Sequence, residues 1–302
     1  MTLRQVVLRV MACAVLCLTI QWAAHAQQQE TGSAVRMYNT AKLKLKEGKP
    51  IVGGTVSSSD PEIYCAMANA GFDFLWIEMQ HSPLTHQDVA RMIWAGKGAP
   101  AIPFVRVPDA TEGDIQKATD NGALGIIIPM VETIEKVKAA VKFAKYPPMG
   151  KRSQGGGQYG ALWGSDYRRT ANDNIMVVAM IESPAGVAIA DEIAAVPGVD
   201  VVFVASTDLG SFSGYRQGEP QYEALVTQIH DATLKAGLKL GGPLAWKNRP
   251  EFSFFQGPGE TNLIRSGAQT ALGTSPSPGG TRPGVAPTEG DQPHAPVTAK
   301  KP

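Results

Sequence analysis

The chain has 302 residues, with 28 Lys and Arg against 27 Asp and Glu, so it carries no excess of positive charge of the kind that binds nucleic acid. Hydrophobic residues make up 43 % and charged ones 18 %, which excludes both an extensively disordered chain and a membrane bundle. A chain of this length can bury a full core without covalent staples.

Residues 1–26 have the three parts of a secretory signal peptide. Arg4 and Arg9 precede an apolar run over 10–24, broken only by Thr19 and Gln21. Ala24-His25-Ala26 then places small residues at −3 and −1, ahead of the polar Gln27-Gln28-Gln29-Glu30. The strictly apolar core is shorter than the roughly 20 residues a membrane span needs. The expectation is a secreted, periplasmic protein with no membrane attachment after cleavage. Removal of this segment leaves 26 basic and 27 acidic residues and a single cysteine, Cys65. One cysteine forms no internal disulfide, and the apolar surroundings of Cys65 suit a buried small hydrophobe better than a nucleophile.

Residues 27–40 form a lead-in, and 41–273 alternate between short β-rich runs and helical patterns. Strands are expected at 50–56, 72–77, 101–107, 125–128, 176–181, 199–204, 238–241 and 252–255, nearly continuous in Val, Ile and Phe as parallel strands covered on both faces are. Helices are expected at 85–96, 111–121, 133–144, 184–196 and 220–236, several opening on a Thr or Asp cap and ending at a glycine. Eight such units over about 240 residues describe a single-domain α/β fold, the (β/α)8 TIM barrel. A doubly wound open sheet is the competing architecture, but no G-x-G-x-x-G follows the first strand. Beyond it, 274–302 hold seven prolines and four glycines in 29 residues and almost no large apolar side chain, the composition of a disordered tail.

In a barrel, chemistry belongs at the carboxyl ends of the strands. Four expected strands run out there into titratable residues: the second into Glu78-Met79-Gln80-His81-Ser82-Pro83, the third at Arg106, the fifth at Glu182, and the sixth into Ser206-Thr207-Asp208-Leu209-Gly210. Glu182 and Asp208 offer hard carboxylate oxygens suited to Mg²⁺ or Mn²⁺, with coordination left open for substrate. Arg106 offers a planar fork for a carboxylate, and His81 a base that titrates near neutral pH. Metal, anion clamp and base together meet the needs of an enolate derived from a 2-oxo acid. Singly, each residue has a plainer role: Glu182 or Asp208 capping a helix or turn, Arg106 pairing with Asp109, His81 as a buried imidazole. The glycine-rich run 150–160, with Arg152 and Gln154, is a candidate substrate-covering loop, and Trp163 and Tyr167 after it suit packing or an interface.

At these residues the sequence resembles the HpcH/HpaI aldolase family, the metal-dependent class II pyruvate aldolases related to citrate and malyl-CoA lyases. The likeness spans about Lys44 to Leu272. It is carried by Gly71-Phe72-Asp73-Phe74 running into Glu78-Met79-Gln80-His81-Ser82-Pro83, by Val105-Arg106-Val107-Pro108, by the block from Gly122 to Val131, by Tyr146-Pro147-Pro148-Met149-Gly150-Lys151-Arg152, by Ile181-Glu182-Ser183-Pro184-Ala185-Gly186, and by Gly198 through Leu209. The resemblance implies a (β/α)8 barrel in a homo-oligomer with sites near subunit boundaries. It implies a divalent cofactor (Mg²⁺, Mn²⁺ or Co²⁺) on Glu182 and Asp208, His81 as base, and Arg106 with the amides of Thr207 and Asp208 around the substrate carboxylate. The partners implied are a small-molecule 2-oxo acid and an aldehyde. Where the family usually has Asp, and Glu before the His, this chain has Glu78, expected to orient His81, and Gln80, expected beside the substrate. A non-catalytic carboxylate-binding barrel and a lyase acting on an acyl-CoA or other ester are the alternatives.

Overall fold

Eight parallel strands close on themselves in sequence order in a computed structural model that describes residues 35–274. They are β1 (Ile51–Val56), β2 (Phe74–Glu78), β3 (Ile102–Arg106), β4 (Gly125–Ile128), β5 (Met176–Ile181), β6 (Val201–Val204), β7 (Lys239–Pro243) and β8 (Phe252–Gly259). The expected barrel is therefore the observed one. The signal-peptide residues and nearly all of the tail lie outside the described residues, and no helix among the described residues is long and apolar enough to cross a membrane.

Burial on both faces explains the apolar runs: every residue of β2 to β6 is buried, with helices outside and large aromatics within. The lower barrel is filled by Phe74, Phe104 and Phe254, whose rings stand 4.7 to 6.1 Å apart. Trp76 and Phe203 continue this stack, 5.2 Å apart and edge to face. Glycine makes the room: a side chain at Gly125 would overlap the ring of Phe104, and one at Gly53 the ring of Phe74.

Helices Glu112–Asp120, Ile134–Ala144 and Pro220–Lys235 stand where expected, and His86–Ala95 opens on a full capping box from Thr85 and Asp88. The expected helix at 184–196 is two short ones, Pro184–Ala188 and Ala190–Ala194, broken at Ile189. Cys65 sits half-buried as a free thiol on helix Pro61–Ala68, so the expectation of full burial is corrected. The closing helix, Glu260–Leu272, buries only Glu260 and leaves Ile264 60 % and Leu272 75 % exposed.

The glycine-rich segment does not cover the barrel mouth. Helix Glu112–Asp120 starts above β3 and ends toward the amino-terminal end of the barrel, and Arg152 is tied to that lower end. Its guanidinium donates to Asp120 at 2.8 Å and to the Tyr167 hydroxyl at 2.8 Å, and lies over the rings of Tyr146, Tyr159 and Tyr167. Gln154 is exposed beside this cluster, and only its main-chain oxygen is engaged, by Arg168 at 3.5 Å. Within one chain, the assignment of Gln154 to the substrate is thus corrected: a buried Arg152 anchors its loop to the wrong end. Trp163 and Tyr167 are packing residues as expected, Trp163 donating to the Gly122 carbonyl at 2.9 Å and stacking on Tyr38.

Candidate active site

β2 and β3 end together, with Glu78 directly opposite Arg106 in the ladder. Cross-strand neighbours point the same way, so the carboxylate and guanidinium meet over the barrel interior. Arg106 donates its Nε–H to Glu78 Oε2, and its Nη2 stands in ion-pair contact with the same oxygen. Trp76, two residues earlier on the same strand face, donates its indole N–H to the same oxygen at 3.1 Å and lies beneath the guanidinium. The other oxygen, Oε1, accepts the main-chain N–H groups of Gln80 at 2.8 Å and His81 at 2.9 Å.

Glu78 therefore holds His81 by its backbone. It makes no hydrogen bond to the imidazole, which corrects the expectation that its carboxylate orients the ring. Asp109, the alternative partner of Arg106, is instead engaged by Lys136 at 2.7 Å. Gln80 is half-buried, with its side-chain oxygen enclosed and without a hydrogen-bond partner among the described residues, and it does not line the central cavity.

Glu182 follows β5 directly and is 2 % exposed. Its Oε1 accepts the main-chain N–H of Met130 at 2.7 Å, presented from a left-handed backbone (φ +49°) just after β4. It does not cap the following helix, a task taken by Ser183. Asp208 stands in the first turn of helix Ser206–Ser213, within hydrogen-bonding reach of Glu182. Burial first, then the neighbouring Asp208 charge, pushes the Glu182 carboxyl up to about 7, against the Met130 N–H and Arg106, which favour its ionised form.

Two like carboxylates held together at one mouth suit a hard divalent cation, and their oxygens fit the ions expected for this site. Among the described residues no third His, Cys, Asp or Glu converges on them, so further coordination falls to water or substrate. The first amides of helix Ser206–Ser213, Thr207 and Asp208 among them, lack intrahelical acceptors and can receive an anion.

These elements enclose a cavity of about 190 Å³, lined by His81, Arg106, Ser206, Thr207 and Asp208 on its polar side and by Met180, Phe203, Ala205 and Pro243 on its apolar side, with Gln256 also in the wall. The exposed imidazole of His81 makes no hydrogen bond with any described residue. His81, Arg106, Glu182, Thr207 and Asp208 are thus brought to one mouth, while Glu78 sits below as their support. Met130, Trp76 and Gln256 escaped the sequence reading. Met130 lies inside the Gly122–Val131 block, but nothing in an apolar Pro-Met-Val run marks a backbone donor.

The sequence model of the HpcH/HpaI aldolase/citrate lyase family matches residues 55–244. The chain belongs to that family. Similar proteins include a hydroxypyruvate/pyruvate aldolase of Delftia acidovorans, 36 % identical over 213 residues, covering 67 % of this chain and 77 % of the relative. A 2-dehydro-3,6-dideoxy-6-sulfogluconate aldolase of Pseudomonas putida is 33 % identical over 202 residues, covering 65 % and 79 %. The crystal structure of an HpcH/HpaI family protein from Burkholderia cenocepacia J2315 superposes with a TM-score of 0.71 at 29 % identity, covering 78 % of this chain and 98 % of that one.

Proposed function

We propose that this protein is a carbon–carbon lyase that splits a 4-hydroxy-2-oxo acid into pyruvate, or a related 2-oxo acid, and an aldehyde. The observation that carries this is the meeting of Glu182 and Asp208 at the mouth that also holds Arg106 and His81 around one small cavity. The names of the two relatives described above, both aldolases, agree with it.

Arg106 is held by Glu78 through Nε and Nη2, which leaves Nη1 free to bind the substrate carboxylate beside the amides of Thr207 and Asp208. Mg²⁺, Mn²⁺ or Co²⁺ held by Glu182 and Asp208 would supply Lewis-acid stabilisation of negative charge on the 2-oxo oxygen. His81 takes the proton of the C4 hydroxyl. As the C4–O⁻ collapses to the aldehyde carbonyl, the C3–C4 electron pair passes to C3 and leaves the enolate. Protonation at C3 then gives the 2-oxo acid. Fixed charges facing the developing enolate account for most of the barrier lowering in such a site.

The test is exchange of the pyruvate methyl protons with solvent deuterium, together with aldol cleavage, with each metal added. Activity lost by at least a hundredfold in His81→Ala and Asp208→Ala supports the assignment. Failure of the wild-type protein in both assays with all three metals refutes it.

The homo-oligomer implied by the resemblance is also carried forward, supported by helix Glu260–Leu272 with its exposed Ile264 and Leu272; sedimentation reads it directly. Secretion to the periplasm, with cleavage after Ala26, is tested by N-terminal sequencing of the mature protein.

A further inference from the structure

Gln256 has no task in the mechanism above, yet its side chain lines the same cavity as His81, Arg106 and Asp208. It lies midway along β8, level with Pro243 at the carboxyl end of β7 in the ladder. Its Nε2 donates to the Thr55 hydroxyl at 3.4 Å. That hydroxyl spends its own hydrogen on the Gly257 carbonyl at 3.2 Å, so toward Gln256 it acts as an acceptor. This relay fixes which way round the carboxamide stands: nitrogen to Thr55, with Oε1 and one remaining N–H left for the cavity. Oε1 takes no hydrogen bond from any described residue.

Across the cavity from Ser206, Thr207 and Asp208, the apolar side of the wall offers no other polar side chain. Pro243 has no N–H, and Met180 and Phe203 are apolar. A carboxamide is neutral at every accessible pH, so it does not select a carboxylate or a cation. It presents one acceptor and one donor, and a hydroxyl presents the same pair in return.

We propose that Gln256 is a specificity-determining residue that hydrogen-bonds a neutral hydroxyl of the substrate, so that the site prefers hydroxyl-bearing substrates to their deoxy counterparts. The inference rests on the aldolase reading. The hydroxyl can belong to the aldehyde or to C3 of the 2-oxo acid, and two comparisons separate these sources. The first sets pyruvate with glycolaldehyde against pyruvate with acetaldehyde. The second sets hydroxypyruvate with acetaldehyde against pyruvate with acetaldehyde. Each is read as a ratio of kcat/KM in the synthetic direction, with the full-length mature protein and Mg²⁺ or Mn²⁺.

In the wild-type protein one ratio is expected to favour the hydroxyl by about two- to tenfold, the range of one neutral hydrogen bond. Gln256→Leu should bring that ratio to about one. Thr55→Val, which frees the carboxamide without altering a cavity residue, should lower it by a smaller factor; this variant serves if Gln256→Leu fails to fold by circular dichroism. Both ratios near one in the wild type, or a ratio that survives in the Gln256→Leu protein or, where that does not fold, in Thr55→Val, overturns the inference. Absence of both pyruvate proton exchange and aldol cleavage in the wild type, with all three metals, overturns the aldolase reading and this inference with it. Exchange with unchanged ratios overturns this inference alone.

Discussion

Replacing Glu78 by Gln keeps the shape of the side chain and removes its charge. The side chains of Glu78 and Arg106 are 4 % and 9 % exposed, so solvent screens their attraction little. In the Gln variant the amide oxygen can still serve the Gln80 and His81 N–H groups. Its NH2 group then points at two donors, the Trp76 indole N–H and the Arg106 Nε–H, and at the cationic Nη2 beside them. Removing one partner of a buried ion pair typically costs about 3–5 kcal/mol, because the other charge is left buried and unpaired. At about 2–4 °C per kcal/mol for a domain of this size, Tm should fall by about 6–20 °C. Trp76→Phe removes one donor and keeps the ion pair, so its cost should lie near the 1.5–3 kcal/mol typical of a hydrogen bond to a charged group, about half that of Glu78→Gln. Urea unfolding at constant m-value measures both. A Glu78→Gln cost below about 1 kcal/mol, or one no larger than that of Trp76→Phe, would refute the view that this ion pair anchors the mouth.

Three further outcomes follow from the structure. The Glu182 carboxyl titrates near 7 in the metal-free protein, above its ordinary value, so between about pH 4.5 and 7 the folded state holds a proton that the unfolded state has released. Its contribution to stability is therefore present below that window and lost as pH rises through it; thermal melts in chelator should show the decline, and Glu182→Gln should flatten it. Stabilisation by added Mg²⁺ or Mn²⁺ should grow over the same window, since the ion displaces that proton, and should vanish in Glu182→Gln. In the lower barrel, Gly125→Ala sets a methyl group into the Phe104 ring and should cost roughly 1–3 kcal/mol by overpacking, read as a lower urea midpoint with an unchanged m-value.

The barrel was legible because its strands are buried on both faces, and their unbroken apolar runs leave little else for them to be. The differences lie at strand ends. β2 takes in Glu78 because the main chain there still pairs with Arg106. β8 runs on to Gly259 because Gln256 and Gly259 keep pairing with β1, although a Gly-Pro-Gly sequence reads as a turn. Helices Tyr159–Trp163, Tyr167–Asn174 and Ser206–Ser213 went unseen because five to eight residues hold too few turns for a period to show. Charged residues at strand ends identified the mouth. What no spacing shows is register: that Glu78 stands opposite Arg106 and so grips it, leaving the His81 imidazole free. Gln154 misled for a related reason. Its glycine-rich surroundings suit a lid, and only the anchoring of Arg152 by Asp120 and three tyrosines reveals which end of the barrel they belong to.

The two ends of the barrel treat buried charge in opposite ways. At the amino end, Lys145 is buried, and its amine, pulled down to about 8 by burial, donates to the carbonyls of Asn172 and Ile175. Nearby, Lys42 meets Asp200 at 2.8 Å, and Arg152 meets Asp120 at 2.8 Å. Each of these three cations has a carbonyl or a carboxylate, as a structural plug requires. At the carboxyl end Glu182 faces a charge of its own sign, with one backbone N–H and a more distant guanidinium to offset it. Capping alone would not need Asp208 within hydrogen-bonding reach, and an anchoring role would be met by a cation like the one Glu78 has. A buried carboxylate beside a half-buried one of its own sign lowers stability and persists in a fold for what it binds. That asymmetry supports the proposed chemistry at the carboxyl mouth.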